Sequence, residues 1–207
     1  DRTSRGLGDV YKRQLLALLG LPIALRVFYR EKDEVDLSKV KPLILGRLIG
    51  GPFGLLLLLN LSEKYLSISV GLIVLIAGAG SFFGWEINRN TFNSFFAGTF
   101  SGIFGMIAAI GGPPVALLYR NTKSQEFRPS LNSVFSIGIL ITLSLLILSG
   151  NLYFDHLLLF MLFLPIVLIG IRVSSSLFSK VSDSFIAQSV TYFSIISGLY
   201  VIFRNIN

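Results

Sequence analysis

FFAGTFSGIFGMIAAIGGPPVALLYR, residues Phe95–Arg120, is an apolar run long enough to cross a bilayer, interrupted near its end by Gly111, Gly112, Pro113 and Pro114. The two prolines lack a backbone N–H and disfavour helix in the residues before them. A helix is therefore expected to break at Gly111–Gly112 and to restart with the prolines in its first turn, where they fit. Broken backbone at membrane depth is tolerated only where protein buries it or water lines it. Discontinuous helices of this kind are where many secondary transporters bind substrate. A plain kink in a packing helix is the other reading of the same residues.

The rest of the chain agrees with a membrane setting. Of 207 residues, 53% are hydrophobic and 14% charged, and the mean hydropathy is +0.74. A soluble domain carries about a quarter charged residues. Apolar runs of membrane-spanning length recur throughout, so the expected fold is an all-α polytopic membrane protein. The absence of cysteine excludes disulfides, thiolate metal sites and cysteine nucleophiles. The net charge is +7, but the basic residues sit in loops between apolar spans. The positive-inside rule produces that pattern, and no nucleic acid is expected.

Seven hydrophobic segments are expected, at about Leu15–Phe28, Pro42–Leu59, Leu66–Phe83, Phe92–Leu118, Leu131–Leu148, His156–Ile171 and Phe185–Phe203. Their short connections leave no room for a separate soluble domain. Residues 1–14, DRTSRGLGDVYKRQ, are polar, and their last part, Asp9–Gln14, resembles a translated sequencing adapter. They read as a sequencing or assembly artefact, or as a disordered polar tail.

A weak internal repeat runs through the segments. Pro42–Gly50 resembles Leu164–Ser174, with Gly46 matching Gly170. Leu61–Gly80 resembles Val181–Tyr200, with Gly78 matching Gly198. Residues 15–84 would be the remainder of a first repeat and 92–207 the second. The partner of the GGPP segment would then precede residue 1, in a truncated eight-segment, two-repeat transporter. Helix packing alone also places small residues at matching positions.

Loop charge bears on topology. Arg30, Lys32, Lys39 and Lys41 follow the first segment, and Arg120, Lys123 and Arg128 follow the fourth. Simple alternation of seven spans puts these two basic loops on opposite sides, against the positive-inside rule. The conflict disappears if the GGPP segment is a hairpin of two half-helices that begins and ends on one side. The repeats would then be inverted.

The ordered set Gly98, Gly102, Gly105, Gly111, Gly112, Pro113, Pro114, Tyr119, Phe127 and Arg128 resembles the second signature of the TauE/SafE-type sulfite exporter family. That resemblance implies eight segments in two halves, and export or uptake of small sulfur anions such as sulfite, thiosulfate or organosulfonates. Pro129 departs from the small residue expected after the arginine. The resemblance also implies a bacterial-type cytoplasmic membrane. Another small anion, or a scaffold that transports nothing, are the alternatives.

The residues suggest how an anion would be held. A half-helix starting near Pro113 presents a positive dipole end and free amides. Gly111, Gly112, Val115 and Ala116 are the candidate donors, because Pro113 and Pro114 have none. Ser101 could add a hydroxyl or serve only packing. Arg47 is the one ionisable residue well inside a span, and either pairs with the anion or snorkels to the interface near Lys41. Arg128 either attracts anions or only sets topology. No span contains Asp, Glu or His, and His156 beside Asp155 reads as interfacial. No enzyme activity, cofactor or metal is expected. The expected partners are a small anion, the lipid bilayer and, left open, a second copy of the chain. The pairs Gly46/Gly50, Gly50/Gly54, Gly80/Gly84 and Gly98/Gly102 fit close helix contacts.

Overall fold

The computed structural model describes residues 2–31, 33, 35–85, 87–109, 111–119, 124–150, 154–178, 192 and 195–203. Among them there is helix and no strand. The elements are α1 (Arg2–Glu31), α2 (Leu37–Asn60), α3 (Glu63–Phe82), α4 (Thr91–Ala108), α5 (Gly112–Leu118), α6 (Ser124–Leu148) and α7 (Phe154–Phe178). Residues 195–203 are also helical. α2 and residues 129–148 of α6 are long and apolar enough to cross a membrane. α1 begins at Arg2, so the backbone of 2–14 is helical and continuous with the apolar part. Much of the expected seventh segment lies outside the described residues.

Polarity is distributed inside-out. Arg47, Ser94, Ser101, Ser130, Ser133, Ser136 and Thr142 are buried, whereas Leu158, Met161, Leu162, Ile166 and Ile169 stand exposed along α7. Water would penalise that apolar face, and lipid accepts it.

Asp36 starts α2. Its carboxylate accepts the Ser38 N–H at 3.1 Å and the Ser38 hydroxyl at 2.6 Å. The Ser38 hydroxyl holds this exposed carboxyl below its ordinary range.

α2 packs most extensively on α4, backbone against backbone. A Cβ added at Gly46 would overlap the Phe95 carbonyl, one at Gly50 the Thr99 carbonyl, and one at Gly98 the Leu43 carbonyl. At Gly54 it would lie 2.7 Å from the Ile103 carbonyl oxygen, and at Gly102 2.8 Å from that of Arg47. The small-residue stripes expected on these two segments are thus partners of each other. Gly80/Gly84 is no such pair. Gly84 has φ 77°, and the Trp85 N–H donates to the Gly80 carbonyl at 2.8 Å. That is a left-handed glycine closing the end of α3.

α4 ends at Ala108, and Ala109 turns left-handed, φ 56° and ψ 20°. The chain then reverses. Gly111 lies against Ser101, two turns back down α4, and the Ser101 hydroxyl donates to the Gly111 carbonyl at 2.5 Å. α5 restarts at Gly112 with Pro113 and Pro114 in its first turn. Its Val115, Leu118 and Tyr119 pack with Ala97 of α4, Val40 and Leu43 of α2 and Val134 of α6. Tyr119 finishes beneath Arg89, whose guanidinium carbon is 5.0 Å from the ring centroid. Arg89 precedes the first residue of α4, so the two ends of the α4–α5 unit meet.

α1 packs on α6 and α7. Ala17, Leu18 and Leu143 form a small core there, with Phe160 against it. The Ser136 hydroxyl donates to the Ala24 carbonyl at 2.7 Å.

Candidate functional site

Arg47 shares a face of α2 with Leu43, Gly50 and Gly54, so its side chain enters the bundle beside α4 and cannot run out along lipid. It is 5% exposed, which overturns snorkelling toward Lys41. The guanidinium lies in a slot built by three elements. A Cβ at Gly138 of α6 would overlap it, one at Gly105 of α4 would lie 2.8 Å from its Nη2, and one at Gly111 would lie 3.1 Å from Nη2. The Phe135 ring flanks it at 5.6 Å to the centroid. Its Nη1 donates a long hydrogen bond, 3.4 Å, to the Val134 carbonyl. Among the described residues, no carboxylate pairs with it.

This group opens on a cavity of about 400 Å³. Arg47, Gly105, Ala109, Gly111, Gly112, Asn132, Phe135, Ile139 and Thr142 line it from α2, α4, the GGPP loop and α6, and Leu16, Ala17, Gly20, Ile23, Ala24 and Val27 line it from α1. The α1 wall is apolar.

The GGPP motif divides between two cavities. Gly111 and Gly112 line the Arg47 cavity. Pro113 and Pro114 line a second one, about 280 Å³, with Ile73, Ile76, Phe96, Phe100, Phe104 and Leu117 among its walls. Val115 is fully buried in the core between α2, α4, α5 and α6, so its side chain faces neither cavity. Ser101 is fully buried and holds the Gly111 carbonyl, leaving its hydroxyl committed to the loop. The side chain of Arg128 lies outside the described residues. α5 has only seven residues, about 10 Å, so it carries a small part of a full helix dipole. The positive charge at the cavity is the guanidinium, not the helix end.

Asn132, Phe135 and Thr142 were not expected at the site. They follow one helical face of α6 together with Ile139, at intervals of three or four residues. That periodicity, with an amide and a hydroxyl on it, was the available signal.

Ser101→Ala leaves the buried Gly111 carbonyl without its donor. It is expected to cost about 1–3 kcal/mol of stability, read as a lower thermal midpoint. An unchanged midpoint would show that the loop does not depend on this bond.

A helical bundle with an inside-out surface is compatible with a polytopic membrane protein, and this one places a buried arginine at a cavity. The sequence model of the sulfite exporter TauE/SafE family matches residues 14–201. The chain belongs to that family, which is one of membrane transporters and not of enzymes. No curated protein and no solved structure is detectably similar to it.

Proposed function

We propose that this chain carries small sulfur-containing anions, of the sulfite, thiosulfate or organosulfonate kind, across a bacterial-type cytoplasmic membrane by secondary transport. Arg47 is the observation that supports the reading. An unpaired charge inside a membrane bundle is expensive and marks a substrate path or an ion site. Among the described residues the charge has one long hydrogen bond, and it borders an open cavity, where an arriving anion would be its partner. Gly111 and Gly112 allow that anion to approach backbone, as glycine does at ligand sites. Asn132 and Thr142 add polar groups on the facing helix.

The α4–α5 unit supports a matching topology. With Tyr119 back beside Arg89, the GGPP segment begins and ends at one membrane face. The basic loops after the first and fourth segments then share the cytoplasmic side.

Sulfite uptake into proteoliposomes, competed with thiosulfate, a sulfonate and a carboxylate, tests the function. Saturable uptake inhibited by at least one of the two sulfur competitors and not by the carboxylate is expected. Equal competition by the carboxylate points to a carrier of another small anion. Absence of any anion flux would sink the assignment.

A further inference from the structure

We infer that the Arg47 cavity selects monoanions over dianions; this rests on reading the cavity as the anion site. Among the described residues that line it, Arg47 is the single ionisable one. Its other polar lining is neutral, supplied by Asn132, Thr142 and the backbone around Gly111. One guanidinium compensates one negative charge. A monoanion therefore makes the occupied cavity neutral. A dianion leaves one full negative charge uncompensated among Ile23, Val27, Phe135 and Ile139, where burial of charge is penalised heavily. The amide and the hydroxyl can orient an oxyanion but cannot cancel that charge. The sulfur substrate would thus be singly charged: a hydrogensulfite or a sulfonate in preference to sulfite dianion, thiosulfate or sulfate. The apolar α1 wall accommodates the hydrocarbon part of a sulfonate at no such cost.

A near-isosteric series separates charge from shape. Sulfate, methanesulfonate and dimethyl sulfone are all tetrahedral at sulfur and carry two, one and no negative charges. Binding of each to the purified full chain in detergent is measured by titration calorimetry, and by competition for sulfite uptake in proteoliposomes. Methanesulfonate is expected to bind at least about tenfold more tightly than either neighbour, because a lone buried charge is costly in low dielectric. Its binding is expected to be lost in Arg47→Gln. Sulfate binding as tightly as methanesulfonate would overturn the monoanion rule while leaving the anion site standing. Dimethyl sulfone binding as tightly as methanesulfonate, or no binding by any of the three, would overturn both.

Discussion

Arg47→Met is expected to abolish anion flux and at the same time to raise the thermal midpoint of the protein. The two effects have one origin. The side chain is 5% exposed, makes one 3.4 Å hydrogen bond, and has no carboxylate partner among the described residues. Insertion scales put the cost of an arginine in mid-membrane at about 2.5–3.5 kcal/mol. Methionine is unbranched, flexible and apolar, and it can fill much of the slot between Gly105, Gly138 and Phe135. The gain is expected at about 1–3 kcal/mol, since the Val134 carbonyl loses only a weak donor. A residue that lowers stability yet is needed for activity is what a binding charge should be. Arg47→Lys supplies a further test. Three glycines and the Phe135 ring border the planar guanidinium, and an ammonium on a flexible stem does not reproduce its fork of donors. Lysine is expected to retain less than about a tenth of the flux, as loss of one charge-assisted bond implies. Full flux in the methionine variant would remove Arg47 from the mechanism. Full flux in the lysine variant would leave the charge in place and discard the argument from the slot.

The all-helical class and the use of the α2 and α4 glycines in packing could be read from residue order. Each depends on local chemistry: apolar runs and missing Cβ atoms. The fate of Arg47 was less accessible. Its distance from Lys41 allowed snorkelling, and the distance argument ignored direction. Arg47 lies on the same α2 face as Gly50 and Gly54, a face that close packing must turn inward. Which stripe pairs with which was not legible, because one small-residue stripe can dock on another equally well. The half-helix reading also leaned on a dipole that seven residues cannot supply. What replaces it is a long-range arrangement, with Gly138 and Phe135 of α6 closing on a side chain from α2. Asn132 and Thr142 join only through that same packing. No local pattern records it.

Gly50→Ala and Gly170→Ala are expected to move stability in opposite directions, although both add one methyl group to an apolar helix. At Gly50 the new Cβ would overlap the Thr99 carbonyl and lie 2.8 Å from the Thr99 carbonyl carbon. Those atoms are backbone of α4 and cannot rotate away, so the two helices must separate along the stripe that Gly46, Gly54, Gly98 and Gly102 share. Overpacking of this kind costs about 3 kcal/mol, at the upper end of its usual range. Separation would also carry Arg47 away from Gly105 and Gly111, because it sits three residues before Gly50 on α2. Anion flux is therefore expected to fall together with the thermal midpoint. At Gly170 of α7 an added Cβ meets nothing within 4 Å among the described residues. There the substitution only removes backbone freedom from the unfolded chain, which favours the folded state by about 0.5–1 kcal/mol. Thermal unfolding of the two variants in one detergent reads both signs. A Gly50→Ala protein as stable as the parent would mean that α2 and α4 are not packed backbone to backbone. A large loss at Gly170→Ala would mean that this face of α7 is closely covered in the membrane.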